Sequence, residues 1–283
     1  MEIFVAAEQA FQIVPQISLE IARDRVEHKK TSLVAGAVGA LFGQAKADDI
    51  RLLATENRLE PFWLAVAASR TTYDRNVNYS VAVGATDVSE VTLLGQRLSP
   101  TPQPRGGNAV LHIAAVEHCV QSLRTQQIYD GIGGHKADLA RYVAAGKREI
   151  ADLTNFADPG VLVVPPQVRA SAVVRLVTAE VFRPVQNAQH VHEERVDIET
   201  VALHFRPVYA LEYEWASKNK RLVVEFDAVT GDMKSGGKRW SDQIKGIVTS
   251  DLLFDVTADA MSMVLPGGGI AVRLVKAVVD RER

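Results

Sequence analysis

The chain has 283 residues, of which 47% are hydrophobic and 23% are charged, and its formal net charge at pH 7 is −2. This composition is typical of a globular protein, and the near-zero charge excludes a chain whose overall charge attracts nucleic acid or anionic lipid. The single cysteine, Cys119, excludes an intrachain disulfide and a thiolate metal cluster built by one chain, and it favours a reducing compartment.

The N-terminal stretch does not resemble a secretory signal peptide, because it lacks a basic region and carries Glu2 and Glu8. No run reaches the roughly 18 to 20 apolar residues that a membrane-spanning helix needs. The most apolar stretch, Leu33 to Phe42, is about half that length, and its small residues indicate close packing against another element. The sequence therefore predicts a cytoplasmic protein with no transmembrane segment.

The first third of the chain reads as a helix followed by strands. Ser18 is a good N-cap for a helix whose apolar positions include Ile21 and Val26. From Asp48 to Gly95, apolar and polar residues alternate in short runs, which predicts antiparallel strands. The cluster Asp74-Arg75-Asn76 predicts a turn between two of these strands.

A helical insert is predicted to follow. The stretch from Ser99 to Gly107 (SPTPQPRGG) is rich in proline and glycine and predicts a linker. Asn108 can then cap a helix that runs to about Tyr129, because apolar residues mostly recur there at helical spacing. A glycine-rich break separates this helix from a second one, predicted near His135 to Leu153.

The pattern then repeats. The segment around Pro207 (RPVYALEYEW) matches the segment around Pro61 (EPFWLAVAAS) at an offset of 146 positions. A helix predicted from Ser171 to Val181 follows a proline, as the helix after Ser18 does, at a similar offset. Two landmarks at similar offsets indicate an internal duplication. Because a half-apolar sheet needs a covering layer, each copy is predicted to be a helix packed on about four antiparallel strands.

The predicted fold class is therefore α+β, with two tandem helix-plus-sheet units, a helical insert between them and a C-terminal helical tail. The predicted boundaries are residues 1–98 for the first unit, 99–160 for the linker and insert, 161–238 for the second unit and 239–283 for the tail. Ser241 is the predicted cap of the first tail helix, and Pro266 with the glycines after it ends that helix. Whether the two units share one sheet or form two domains stays open.

Residues 207–233 resemble the PepSY family of small α+β domains. The resemblance lies in an alternating strand from Tyr209, a polar turn at Ser217 to Lys220 and a strand that ends in Val224 to Gly231 (VEFDAVTG). Residues 61–87 resemble the same pattern without the final glycine. The resemblance implies a small α+β fold and a role in binding or inhibiting peptidases.

Two local patterns in this second copy have physical consequences of their own. Asp227 and Thr230 are suited to bond the backbone of a tight turn in which Gly231 takes a positive φ. Upstream, Glu212 and Glu214 alternate with Tyr213 and Trp215, which predicts solvated carboxylates on one face of a strand and buried aromatics on the other. This arrangement does not favour a pair of catalytic acids.

The segment His190 to Glu194 (HVHEE) is the best candidate for a metal site, because alternate residues of an extended segment point to one side and both imidazoles could reach one ion. A site needs a third ligand, and the nearest histidine in the sequence is His204. The candidate metal ligands are therefore His190, His192 and His204. A polar surface loop explains the same segment equally well, and no other cofactor is predicted.

A glycine-rich segment, Gly131 to Lys136 (GIGGHK), precedes a predicted helix, so its free amides and the lysine could hold an anion. The candidate anion-binding residues are Gly131, Gly133, Gly134 and Lys136. The segment departs from the P-loop pattern, since Ala137 stands where serine or threonine is needed. A turn between two helices explains the glycines more simply.

Basic residues cluster near the end of the second copy and form a candidate rim for nucleic acid or phosphate. They are Lys218, Lys220, Arg221, Lys234, Lys238 and Arg239. Solvated turns explain the same residues without a ligand.

These patterns do not include a set of catalytic residues, so whether the protein is an enzyme stays open, with the balance against it. Duplication and edge strands suited to strand addition predict a non-enzymatic binding or scaffold protein that assembles with itself or with a protein partner. One alternative is a metal- or phosphate-dependent hydrolase that uses residues 131–136 or 190–194. The other is a nucleic-acid-binding adaptor that uses the basic rim, residues 218–239.

Overall fold

The structure is a computed structural model that describes residues 1–41, 46–85, 87–103, 107–240 and 273–276. Strands account for 51% of the described residues and helices for 17%, so the protein is mostly β-sheet and the predicted α+β fold class is wrong. The predicted arrangement of two tandem helix-plus-sheet units with a helical insert and tail is also wrong, because residues 110–130 of the predicted insert and residues 273–276 of the predicted tail are strands of the same mixed sheet.

The described helices are α1 (Leu19–Leu41, broken at Gly36, where φ is 74°), α2 (Ala140–Val143) and α3 (Ala170–Val181). The described strands are β1 (Glu2–Val5), β2 (Gln9–Ile13), β3 (Ile50–Ala82), β4 (Val91–Leu93), β5 (Gln96–Leu98), β6 (Val110–Asp130), β7 (Lys147–Glu149), β8 (Val161–Val163), β9 (His190–Trp215), β10 (Lys220–Asp227), β11 (Met233–Gly237) and β12 (Arg273–Lys276). Of these strands, β4 and β5 form a separate hairpin, and the others form the mixed sheet.

Two long strands form the centre of the sheet. β3 and β9 are antiparallel neighbours along almost the whole of β9. On the other edge of β3, β8 pairs in parallel near the start and β6 pairs antiparallel further along. On the other edge of β9, β1 and β2 pair in parallel and β10 pairs antiparallel. The sheet is extended outward by β12 on β1, β7 on β2 and β11 on β10.

α1 and α3 cover one face of this sheet, and the short α2 lies on the other face. Side chains alternate between the two faces along a strand, and from Val201 to Trp215 the odd-numbered residues of β9 point toward α1 and α3. Tyr213 and Trp215 are buried in the core beneath α1, and Leu203 and Phe205 are buried in the core beneath α3. Burying each such side chain contributes about 1.5–3 kcal/mol. The prediction that Tyr213 and Trp215 point inward is confirmed.

The two predicted helices next to prolines are confirmed. The Oγ of Ser18 accepts a hydrogen bond from the amide of Ile21 at 3.3 Å, as an N-cap residue should. The second helix, predicted from Ser171 to Val181, is α3.

The predicted helical insert is wrong. The residues from Asn108 to Tyr129 lie mostly in β6, which pairs with β3 without a register shift from Val110 to Asp130. The second insert helix is reduced to α2. The predicted turn at Asp74-Arg75-Asn76 is also wrong, since these residues lie inside β3. Pairing over more than twenty residues outweighs the weak local preference of alanine-, glutamine- and glutamate-containing segments for helix.

The turn after β10 agrees with its sequence. Asp227 accepts hydrogen bonds from the amides of Val229 at 2.9 Å and Thr230 at 2.8 Å. Gly231 has a φ of 77°, a conformation that residues with a Cβ rarely adopt. The predicted tight turn and the positive φ at Gly231 are therefore confirmed.

The predicted tail helix that begins at Ser241 lies outside the described residues. The part of the tail that the structure describes, Arg273–Lys276, is a strand parallel to β1 and not a helix. Among the described residues, none of the helices combines the length and the apolar character needed to cross a lipid bilayer.

Candidate functional site

A group of charged side chains lies on the sheet face opposite α1 and α3, and we call it the central polar cluster. Its members are Glu56, Arg58, Glu60, Tyr142, Arg206, Glu212, Glu225, Asp227 and Arg239. Strand register explains their position: Glu60 lies directly opposite Arg206, and Arg58 lies opposite Val208, so their side chains share a face.

Two arginines in this cluster share one carboxylate. Arg58 is fully buried, and its guanidinium contacts Glu60 at 2.6 Å and Glu225 at 2.5 Å. Arg206 contacts the other oxygen of Glu60 at 2.6 Å and Asp227 at 3.1 Å. Because a buried charge is tolerated only when it is paired, these contacts hold β3, β9 and β10 in one register.

A cavity of about 230 Å³ opens beside the cluster, and its lining includes Arg141, Tyr142, Arg206, Asp227 and Asp232. The Tyr142 hydroxyl donates a hydrogen bond to Asp227, and burial together with this bond raises the pKa of Tyr142. Arg206 pairs with Asp227, and Arg141 pairs with Asp232. These charges on the cavity wall are matched within the chain, which is typical of a structural network.

The outer edge of β6, the edge that does not face β3, is a stronger candidate for a functional site than the central polar cluster and its cavity. In an antiparallel pair, alternate residues direct both their N–H and C=O groups toward the same neighbour. Val110 exchanges hydrogen bonds of 2.8 and 2.9 Å with Thr101, and the Ile128 carbonyl oxygen accepts from Ala137 at 2.9 Å, so both residues direct these groups away from β3. Because no register shift intervenes, the even-numbered residues between them also point outward.

These even-numbered residues are His112, Ala114, Val116, His118, Val120, Ser122, Arg124 and Gln126, and all are exposed. Within the described part of the chain, no strand pairs with this edge. The open stretch is about 50 Å long at about 3.4 Å per residue. Edge strands usually carry lysine or proline that blocks pairing, and the β6 sequence contains neither. The edge is thus suited to accept another strand.

The N-terminal end of this edge, residues 110–117, belongs to a two-stranded ribbon. β9 pairs with β3 only as far as Asp74, and beyond it, residues 75–82 pair with residues 110–117 alone among the described strands. Tyr79 and Val81 are each 48% exposed there, and Val116 is 52% exposed. A two-stranded ribbon is only marginally stable in water, so a third strand at the β6 edge would stabilise it.

The predicted metal ligands separate into two places. His190 and His192 are close together, with ring centroids 4.7 Å apart. They lie beside Asp74, which accepts hydrogen bonds from His118 Nδ1 at 2.7 Å and His192 Nε2 at 2.8 Å. Both hydrogen bonds lower the pKa of Asp74, and the one from His118 has the larger effect. Among the described residues, no three His, Cys, Asp or Glu side chains are arranged to hold one ion together.

His204 is not near His190 and His192, so the structure does not bring the three predicted ligands together. Its ring lies between Phe11 and Phe62, with centroid distances of 5.2 and 5.0 Å. It is fully buried, and burial lowers its pKa to about 4, so the ring is neutral at physiological pH. Its Nε2 atom has no hydrogen-bond partner.

The candidate anion-binding residues lie in the turn that follows β6. The amides of Ile132 and Gly133 donate to the Asp130 carboxylate at 3.0 and 2.5 Å, and Lys136 pairs with Glu180 at 2.9 Å. Gly131 is packed against Pro61, and Gly134 has a φ of 72°. The long helix expected after this turn is absent, so the basis of the anion prediction does not hold.

The six residues of the predicted basic rim do not form one surface. Arg239 belongs to the central polar cluster, where it contacts Glu212 at 3.0 Å. Lys238 lies over the ring of Trp240 at 3.8 Å, and Arg221 lies near Glu214 at 4.0 Å. Lys234 lines the cavity described above, and Lys218 and Lys220 are exposed at the turn between β9 and β10. Glu212 is not solvated as predicted, because Arg239 covers it.

Sequence reasoning missed the β6 edge and the partners of His192. The apolar residues of β6 were interpreted as recurring at helical spacing, although Leu111, Ile113 and Ala115 fit the two-residue repeat of a strand equally well. No pattern linked Asp74 or His118 to His192, since these residues are far apart in the chain.

No family model, no curated protein and no solved structure matches the chain.

Proposed function

We propose that this protein is a non-enzymatic assembly protein whose copies join through strand addition at the outer edge of β6. The observation that supports the proposal is the run of outward N–H and C=O groups from His112 to Gln126, which no described strand uses. Pairing two such edges would give these groups partners and would turn the ribbon into part of a wider sheet. Two copies would then share one continuous sheet.

A second copy fits this edge because the edge is self-complementary. Antiparallel pairing about a two-fold axis perpendicular to the sheet, centred on His118, places Val116 opposite Val120 of the second copy. The same register places Ile113 opposite Leu123 on the other face. Apolar and β-branched cross-strand pairs of this kind contribute about 0.2–1 kcal/mol each. A register centred on Glu117 would place two glutamates opposite each other, which is unfavourable.

The test is the solution mass of the protein by light scattering or sedimentation over a range of concentrations. Wild-type protein should be a dimer, and Val120→Pro should weaken it, because proline removes an outward N–H and leaves the ladder to β3 intact. The two-fold axis doubles the loss, so at about 0.5–1.5 kcal/mol per hydrogen bond the dissociation constant should rise by about 10- to 100-fold.

Val120→Thr is the matched control, since it changes the side chain and keeps the N–H. It should dimerise like the wild type. A wild-type protein that is monomeric at every concentration contradicts the proposal, and so does equal weakening by Val120→Pro and Val120→Thr. Circular dichroism establishes that both variants are folded.

The other predicted functions remain predictions. The PepSY resemblance would make the partner a peptidase, and the cytoplasmic location remains a prediction from the sequence. The hydrolase alternative is weakened, because Lys136 pairs with Glu180 and the amides of Ile132 and Gly133 donate to Asp130. The nucleic-acid alternative loses support from the scattering of the basic rim.

A further inference from the structure

Four side chains with metal-binding chemistry meet at the point where β9 leaves the sheet. Asp74 lies opposite His118 on one side and opposite His190 on the other, so the three form a row across β6, β3 and β9. His192 joins this row because of a β-bulge: Thr72 pairs with Glu193 and Tyr73 pairs with Val191, which leaves His192 as the extra residue. Bulges commonly redirect a side chain at functional sites.

The hydrogen bonds fix the tautomer of His192. Its Nε2 donates to Asp74 at 2.8 Å, so its Nδ1 carries a free lone pair. A carboxylate that accepts the second ring N–H is the usual support for a metal-binding histidine. The His190 ring lies 4.7 Å from that of His192 at an interplanar angle of 74°. Two imidazoles bound to one tetrahedral ion at Zn–N distances of about 2.0–2.1 Å have ring centres about 5 Å apart.

The neighbouring acids have other partners. Glu193 lies 3.9 Å from Arg70, and Glu194 lies 3.9 Å from the N-terminal amine. His118 shares Asp74 with His192 and directs its own Nδ1 to that carboxylate at 2.7 Å. The Nε2 of His118 is therefore free as well, but among the described residues His118 is not placed to share one ion with His190 and His192. The candidate ligands are His190 and His192.

We propose that His190 and His192 bind a divalent transition-metal ion such as Zn²⁺, with Asp74 fixing the orientation of His192. The third protein ligand that the sequence called for is not in place among the described residues, so this is a two-histidine site whose coordination is completed by water molecules. The site does not depend on pairing between β6 edges, since both ligands are on β9.

Isothermal titration of the full chain with Zn²⁺, purified without a polyhistidine tag, tests the proposal. One equivalent should bind, and His190→Ala or His192→Ala should abolish it. Asp74→Asn keeps both ligands and should weaken binding by about 10- to 100-fold. These side chains are at the surface, so the variants should fold, and thermal melts establish that they do.

Two histidine controls separate this site from general binding to surface histidines. His118→Ala removes the other partner of Asp74 and should keep stoichiometric binding. His112→Ala removes an exposed histidine that contacts Ser80 at the far end of the ribbon, and it should match the wild type. No stoichiometric Zn²⁺ binding by the wild type, or equal loss in the His112→Ala variant, would overturn the proposal.

Discussion

Glu60 and Arg206 are 146 positions apart in the sequence and lie directly opposite each other on neighbouring strands, with a contact of 2.6 Å. The same offset of 146 relates Pro61 to Pro207. The two matching segments therefore belong to the two central strands of one sheet, β3 and β9, which pair antiparallel at this position. The repeated pattern suggested two units, but in the structure it identifies two neighbouring strands of one sheet.

Replacing Arg206 should destabilise the protein strongly. Arg206→Met keeps the length of the side chain but leaves Glu60 and Asp227 without their shared cation, and breaking such a pair costs about 3 kcal/mol. Chemical denaturation measures the change in the free energy of unfolding. Arg97→Met is the control, because Arg97 lies 3.8 Å from Glu90 at the surface, away from the β6 edge, and such a pair contributes at most about 1 kcal/mol. Equal losses in the two variants would show that the central polar cluster does not hold the sheet.

Substituting Gly231 should destabilise the turn after β10. Gly231→Ala introduces a Cβ at a φ of 77° and within 3.2 Å of Ile17, so we expect a loss of about 1–2 kcal/mol. Gly146→Ala is the control, since that glycine is outside the left-handed region and has open space around it. The control should be neutral or stabilise by up to about 1 kcal/mol. Thermal and chemical unfolding measure both, and a neutral Gly231→Ala would contradict the strained turn.

The stability of the protein should depend on pH through His204. Its pKa in the folded protein is about 4, below the ordinary value of 6.5, so the unfolded chain binds the additional proton between these values. This contribution is complete above about pH 6.5 and is lost as the pH falls toward 4, amounting to about 2.5 kcal/mol between pH 7 and 4.5.

His204→Phe should remove that part of the pH dependence, because phenylalanine can fill the space between Phe11 and Phe62 and does not titrate. His28→Ala, which replaces an exposed histidine of α1, should leave it unchanged. Unfolding curves at several pH values measure the difference. An unchanged pH dependence in His204→Phe would contradict a buried neutral ring.

The register of the proposed dimer can be tested by cross-linking. Hydrogen-bonded antiparallel neighbours have Cα atoms about 5.5 Å apart, a distance that a disulfide spans. In a Cys119→Ser background, Val116→Cys with Val120→Cys should give a covalent dimer under mild oxidation. Val116→Cys with Ser122→Cys corresponds to a register shifted by two residues, with the axis at position 119, and should cross-link much less. Efficient cross-linking of the second pair alone would place the axis elsewhere.

Local chemistry in the sequence was informative where a few adjacent residues determine the structure. The cap at Ser18, the turn at Asp227 and the positive φ of Gly231 are such cases, because their partners lie within four residues in the chain. The alternation of Glu212 and Tyr213 also predicted the correct buried face, although the ion pair of Glu212 with Arg239 depends on a distant segment.

Long-range pairing was not predictable in the same way. Residues 110–130 have comparable periods for helix and strand, and only the partner strand β3 decides between them. Asp74-Arg75-Asn76 has the composition of a turn but continues β3, because β6 pairs with all three residues. The sequence placed His190 and His192 together, whereas Asp74 and His118 join them only through strand register.

Residue-resolved hydrogen exchange along β6 tests the central claim most directly. In the monomer, the odd-numbered amides from Ile113 to Thr125 are bonded to β3 and should exchange slowly, while the even-numbered amides from His112 to Gln126 should exchange rapidly. At concentrations where the dimer forms, the even-numbered amides should become protected and the odd-numbered ones should change little. Even-numbered amides that exchange rapidly in the assembled protein would contradict strand addition at this edge.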